Sequence, residues 1–311
     1  MSSPDVLCVG IAVVDVLGKP IDDVPAWDEL ATFDHVEQHT GGCAVNTAVD
    51  LVRLGVTSGV SACVGVDGSG LYLRHELEAA GVDASSMVET RDAATSYTFV
   101  MIDSNGRRRY LHHVGANACF TLAGVPREKV RGTRILHMGG SLLMPALDGA
   151  PTAELLADAQ AHGVITSMDT AFNPRVDARA LIEPCLPHLD ILMPSIEEAR
   201  EITGETTPEA MLDALDGHGI TTIGVKLGAE GCVLRHEGRT LRLPAYPVEV
   251  VDGSGAGDAF MAGFLYGRLQ GWDVEDCARM ATATAAHCIQ AIGCSAGVPP
   301  ARDVQSFMAS R

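Results

Sequence analysis

The stretch Val251-Asp-Gly-Ser-Gly-Ala-Gly-Asp-Ala-Phe260 constrains this chain more than any other. Four small residues, Gly253, Ser254, Gly255 and Gly257, run straight into the apolar, helix-compatible sequence Ala259-Phe-Met-Ala-Gly-Phe-Leu-Tyr266, with one carboxylate, Asp258, at the junction. The first turn of a helix carries unpaired N–H groups and the positive end of the macrodipole, and glycine lets a phosphate approach both. The junction therefore reads as an anion site with an acid on it. Such an acid either accepts a proton from a hydroxyl attacking a bound phosphate or simply caps the helix. Two other glycine motifs are excluded. Gly-x-Gly-x-x-Gly fails because Asp258 stands where the third glycine belongs, and Gly-x-x-x-x-Gly-Lys-Ser/Thr occurs nowhere in the chain.

The remainder alternates between short apolar runs and helical patterns, which predicts an α/β fold with a mainly parallel sheet and crossover helices. Val6 to Val14 is almost continuously apolar and ends in Asp15, the pattern of a strand buried on both faces with a carboxylate where open α/β sheets hold ligands. Thr40-Gly-Gly-Cys-Ala-Val-Asn46 opens a second glycine-started helix that closes on Gly55. Asn46, inside it, is either a satisfied core amide or a group held toward a ligand. Ser96 to Asp103 and Arg107 to His113, joined by Ser104-Asn105-Gly106, read as a hairpin. With residues 17–40, which lack helical periodicity, this hairpin is expected to form a small separate sheet. Of the adjacent His112 and His113, at most one can face a ligand, because neighbours on a strand point to opposite faces. Arg107-Arg-Arg109 is expected to be a solvated cluster. The sequence Ser195-Ile-Glu-Glu198 is a capping box opening a helix. The helix from Val274 to Ile289 is so rich in small residues that it must pack closely, on the helix after Asp258.

Composition excludes several classes of partner. A formal charge of −18 argues against a nucleic-acid backbone or an anionic membrane, and no segment is apolar enough to span a bilayer. The start, Met1 to Asp5, has no basic run before its apolar stretch and is read as leading into a strand, not as a signal peptide. Nine cysteines, with no Cys-x-x-Cys pair, are expected to be reduced core residues of a cytoplasmic protein and speak against structural zinc.

These pieces, in this order, resemble the ribokinase-like (PfkB) family of carbohydrate kinases over nearly the whole chain. The resemblance rests on Gly10-x-x-x-x-Asp15, Gly41-Gly42-x-x-x-Asn46-x-Ala48, Arg53-Leu-Gly55 and Val64-Gly-x-Asp67-x-x-Gly70. It continues through Gly81-Val-Asp83, Gly115-Ala-Asn-Ala118, Lys226-Leu-Gly228 before Gly231, and Asp252 to Asp258. It implies a three-layer α/β/α sandwich with a small β-sheet lid: core segments 1–16, 41–94 and 116–311, lid segments 17–40 and 95–115.

The resemblance also implies an activity, transfer of the γ-phosphate of ATP to a sugar hydroxyl, usually a primary one. Asp258 would be the catalytic base, and the amides of Gly255, Ala256 and Gly257 the anion hole. Asp15, Gly41, Gly42 and Asn46 would bind the sugar, and Lys226, Leu227, Gly228, Gly231 and Thr282 the nucleotide. Glu198 would hold Mg²⁺ through water, and Asp252 a monovalent cation, K⁺, together with carbonyls of the 282–297 segment. Asp169-x-x-x-Asn173-x-Arg175 resembles a stretch of fructokinases and ketosugar kinases, which would add Asn173 and Arg175 to the substrate site. Four positions depart from the family pattern: Ser195 stands for its usual Asn, Gly253 for a common Thr, Cys43 for the lysine of ribokinases proper and Gly140 for their sugar-binding glutamate. A homodimer through the lid, a nucleoside acceptor stacked on Tyr97, Phe99 or Tyr110, and a catalytically silent sensor complete the expectations.

Overall fold

The structure, a computed structural model, describes residues 3–310. Met1, Ser2 and Arg311, which end two of the expected core segments, lie outside the described residues. The first half contains β1 (Val6–Gly10), β2 (Val13–Lys19), β3 (His35–Gly41), α1 (Cys43–Arg53), β4 (Ser58–Ser61), β5 (Cys63–Gly65), α2 (Gly68–Ala79), β6 (Val88–Thr90), β7 (Tyr97–Ile102), β8 (Arg108–His113), α3 (Arg127–Arg131), β9 (Ile135–Ser141) and α4 (Ala150–Ala161). The second half contains β10 (Ile165–Thr170), α5 (Ala178–Ile182), β11 (Ile191–Leu192), α6 (Ile196–Thr203), α7 (Pro208–Asp216), β12 (Thr222–Lys226), β13 (Cys232–His236), β14 (Arg239–Leu243), α8 (Ala256–Leu269), α9 (Val274–Cys288) and α10 (Ala301–Ala309).

Eight strands form the central sheet in the order β14-β13-β12-β11-β10-β9-β1-β4. From β12 to β4 every pairing is parallel; β13 and β14 add an antiparallel edge, of which β14 was not foreseen. Side chains alternate across the sheet, so β1 sends Val6 and Cys8 into one core and Leu7 and Val9 into the other. Helices α1, α2 and α8–α10 cover the first face and α3–α7 the second, which makes three layers. The small residues of α9 do pack on α8: a Cβ on Gly263 would lie 2.6 Å from Thr284 Oγ1.

A second sheet, β3-β2-β7-β8, stands apart as the lid. Its composition corrects the expectation of one strand from Val6 to Val14. The chain leaves the central sheet after Gly10 and enters the lid at Val13. The switch is enforced at Ala12, whose N–H donates to Asn117 Oδ1 (3.1 Å) and whose carbonyl accepts from Asn117 Nδ2 (3.2 Å). An amide side chain thus takes both main-chain groups that a continuing strand would pair. Asp15 consequently sits in the lid sheet, in register with His39 and Thr98, and not at the end of a central strand. The hairpin turn is as read, with Asp103 Oδ1 accepting from the N–H groups of Asn105 (2.9 Å) and Arg107 (2.8 Å).

Asp50, in the middle of α1, is fully buried and neither carboxylate oxygen finds a hydrogen-bond donor. Burial pushes its pKa well above the ordinary carboxylate range, and Asp258 adds to the rise while Ser295 and Arg53 only oppose it. A raised folded-state pKa means that folding takes up a proton, so this group's contribution to stability is present below the unfolded pKa and lost as pH rises. Asp50→Asn removes the titration with little change of shape. Thermal denaturation across pH 5 to 8 should therefore show the variant gaining on the wild type as pH rises; a pH-independent gap would sink this account.

Candidate active site

Two glycine-started helices meet at the site. Gly255 precedes α8 with φ +74°, and a Cβ there would lie 2.1 Å from the Cys294 carbonyl oxygen. Gly42 precedes α1 with φ +94°, and its Cβ would lie 2.5 Å from the Ile11 carbonyl. Both positions demand glycine by conformation and by contact. With these backbones docked, Asp258 in the first turn of α8 faces Asn46 in α1, and Asn46 Nδ2 donates to Asp258 Oδ2 at 2.8 Å. Both residues are buried.

They open onto a cavity of about 480 Å³. Asp15, Gly42, Asn46 and Asp258 stand in its wall together, as do Asp252 and Ser254. The lid supplies Thr98 and Val100 from β7 and Arg108, Tyr110 and His112 from β8. His112 is thus the histidine that faces inward, with Nδ1 3.1 Å from Thr98 Oγ1. Arg108 corrects the expectation of a solvated cluster. Its guanidinium donates to Asp252 Oδ1 and to Ser254 Oγ (2.7 Å), whereas Arg107 pairs with Asp103 at 2.6 Å on the surface. Period-two alternation puts residues 108, 110 and 112 on one face, so the signal was present in the sequence.

A charge cluster lies beside Asp258. Lys226 Nζ contacts both Asp169 oxygens, at 2.6 and 2.7 Å, and lies 3.2 Å from where a Cβ of Gly257 would be. Burial opposes the charge on Lys226, but Asp169 and Glu198 outweigh it and raise the pKa, so the ammonium persists. Asp169, at the carboxyl end of β10, was missed as a site residue, although its position repeats the reasoning that had singled out Asp15. Glu198 Oε2 accepts from Ser195 N (2.8 Å) and Thr170 Oγ1 (3.0 Å), and the capping box of α6 is complete. Among the described residues no group of three or more His, Cys, Asp or Glu is arranged as a direct metal cage.

Other expected site residues are placed differently. Asn173 Nδ2 donates to the Leu142 carbonyl at 2.8 Å, Arg175 is exposed, and neither lines the cavity. The hydroxyl of Thr282 is bonded to its own helix through the Ala278 carbonyl at 3.0 Å. Leu227, Gly228 and Gly231 form a tight turn between β12 and β13, in which Leu227 N donates to the Gly231 carbonyl at 2.8 Å. Tyr97 packs against the first core and Phe99 against Phe33, leaving Tyr110 as the lid aromatic in the cavity wall. All nine cysteines are free thiols, but Cys43 and Cys294 line the cavity and are not core residues as expected.

Burial sets the electrostatics. It raises the pKa of Asp258, against the pull of Asn46, Lys226 and the Cys43 thiol. It pushes Asp15 up to about 6, opposed by the Thr98 hydroxyl and His39. Asp252 is held low despite burial, by Arg108 and the N–H groups of Gly293 and Ser254.

The sequence matches the pfkB family of carbohydrate kinases over residues 3–301, and the chain belongs to that family. It is similar to a nucleoside kinase of Methanothermobacter thermautotrophicus, 28% identical over 302 residues that cover 95% of this chain and 92% of that one. It is also similar to the 2-dehydro-3-deoxygluconokinase of Bacillus subtilis, 29% identical over 297 residues, 91% of this chain and 90% of the relative. Its fold is that of Arabidopsis thaliana ribokinase, solved with ribose and ATP: the TM-score is 0.86 at 24% identity, over 98% of this chain and 99% of that chain. Kinases of this family are ATP-dependent phosphotransferases acting on small molecules.

Since the Asn46 amide favours the ionised form of Asp258, Asn46→Ala should raise the pKa of that carboxyl further. If turnover needs ionised Asp258, the acid limb of its pH–rate profile moves to higher pH in the variant. An unmoved limb would separate Asp258 from the titration.

Proposed function

We propose that the protein transfers the γ-phosphate of ATP to a hydroxyl, a primary one, of a sugar or sugar-like acceptor, with Asp258 as general base. The observation that carries this is the buried Asp258 carboxylate on the first turn of α8, bonded to Asn46 and facing a cavity that Asp15 also lines. A base must be ionised to accept a proton. A raised pKa makes it a stronger acceptor, and Asn46 and Lys226 oppose the rise.

In this reading the acceptor hydroxyls bind Asp15, Gly41, Gly42 and Asn46, and the attacking hydroxyl gives its proton to Asp258. The amides of Gly255, Ala256 and Gly257, at the positive end of α8, receive the charge that develops on the transferring phosphoryl oxygens. Lys226, beside Gly257, adds a full positive charge there. The nucleotide lies along Lys226, Leu227, Gly228 and Gly231, with Thr282 behind it. Mg²⁺ brought in with the nucleotide would offset negative charge on the phosphates, and Glu198 would hold its waters. The lid keeps water from the acceptor side and so limits ATP hydrolysis.

A nucleoside acceptor is the second reading, favoured by Tyr110 and Phe172, which line the cavity and are half or more exposed. A sensor without turnover has no use for the buried base. The lid also carries Trp27 and Leu30, 96% and 90% exposed, and a homodimer through this surface would cover them. Free thiols throughout support a cytoplasmic location, and no helix of the described residues is long and apolar enough to cross a membrane.

An ADP-release assay with Mg²⁺-ATP against ribose, fructose, ketosugar acids, sugar phosphates, inositols and nucleosides tests the reaction. Asp258→Asn should lower kcat roughly 10²–10⁴-fold while calorimetry shows ATP binding retained; turnover indifferent to the substitution overturns the mechanism. Light scattering should give a dimer that Trp27→Glu with Leu30→Glu converts to monomer, and a monomeric wild type would remove the lid interface.

A further inference from the structure

The resemblance assigns a monovalent cation to Asp252, yet both oxygens of its carboxylate are already committed. Asp252 Oδ1 accepts from Arg108 Nη1 and from Ser254 N (2.8 Å), and Oδ2 accepts from Gly293 N (2.9 Å). Of the carbonyls in the neighbouring 289–294 turn, that of Ile289 accepts from both Val251 N (2.8 Å) and Asp252 N (3.1 Å). That of Cys294 accepts from the Cys288 thiol at 3.1 Å. An alkali ion here would displace donors already in place and sit against a guanidinium of like charge. The Asp252 carboxylate, met by a guanidinium and two N–H groups, does not fit the ion.

What stands there is a cation from the chain itself. Arg108 is the first residue of β8, and its side chain is only 17% exposed. It reaches from the lid to two residues of the loop that ends at Gly255, namely Asp252 and Ser254. Asp252 in turn ties that loop to the 289–294 turn through Gly293 N. Main-chain bonds of Val251 and Asp252 to Ile289 and the packing of Gly255 on Cys294 hold its two ends, but between them the loop is open: Val250 and Val251 are more than half exposed and nothing lies within 4 Å of a Cβ on Gly253. The guanidinium is the side-chain tie from the lid on the approach to the 255–257 amides.

We infer that Arg108 is a positioning residue that supplies, from the lid, the positive charge otherwise assigned to a monovalent cation at Asp252, and so orders the 252–257 loop without an added ion. The inference rests on the proposed role of the 255–257 amides as the anion hole. Because the charge rides on the lid, the loop is braced only while the hairpin lies over the cavity. Assembly of the anion hole is then tied to enclosure of the acceptor.

The test uses the full chain and two readouts. In the first, ADP release with the best acceptor is measured in potassium, sodium and tetramethylammonium chloride at constant ionic strength. The wild type should give the same kcat in all three, and Arg108→Ala should lose roughly 10–100-fold in kcat through misplacement of the loop, with partial recovery on adding potassium or low guanidinium chloride. The second readout, hydrogen exchange of amides 252–257 and 289–294, needs no turnover. Protection should be independent of the salt in the wild type, lost in Arg108→Ala in tetramethylammonium, and kept in Arg108→Lys, which also controls for a folding defect. Strong activation of the wild type by potassium, or an alanine variant with unchanged kcat and unchanged exchange, overturns the inference. If no acceptor is phosphorylated in any salt, the proposed function fails, and the exchange experiment alone decides the role of Arg108.

Discussion

The hydrogen bond between Asn46 and Asp258 joins the two halves of this protein, and much of the structure exists to make it possible. A carboxylate buried in a helix terminus is unfavourable unless donors compensate it. Here the compensation comes from a residue 212 positions away in sequence, on another glycine-started helix. For the two helix starts to meet, Gly42 must lie against the Ile11 carbonyl and Gly255 against that of Cys294, approaches no side chain would allow.

The same logic explains the lid. Asn117 takes both main-chain groups of Ala12 and turns the chain out of the central sheet, which carries Asp15 away from the end of a buried strand and over the cavity. Asp15, which lines the cavity, and Arg108, which holds Asp252, therefore belong to one small sheet. In the proposed mechanism, movement of that sheet would change both sides of the site together.

Much of the candidate site was legible locally. Glycines before an apolar helix, an acid in its first turn and a Ser-x-x-Glu box are short-range features whose physics is complete within a few residues, and α8, α1 and α6 appear as expected. Arg108 and Asp169 were equally visible by position, one through strand alternation and the other as a carboxylate ending a buried strand. Their partners, Asp252 and Lys226, lie 144 and 57 residues away. Without those partners, Arg107-Arg-Arg109 looks like a solvated cluster. The break at Ile11-Ala12 was hidden for the same reason, since an unbroken apolar run carries no mark of the amide that interrupts it.

By itself, then, the sequence determined the alternation of strands and helices, the glycine-rich start of α8, the acid beside it and the family to which these motifs belong. Each follows from backbone propensity, periodicity or spacing along one segment. Tertiary structure alone decided which sheet owns Asp15, which face of β8 turns inward, that Lys226 pairs with Asp169 and that Asp252 is met by a guanidinium. Those outcomes depend on which buried charges come within hydrogen-bonding distance once separate elements pack. In a low-dielectric interior a charge takes the partner the fold brings to it, and no single segment carries that information.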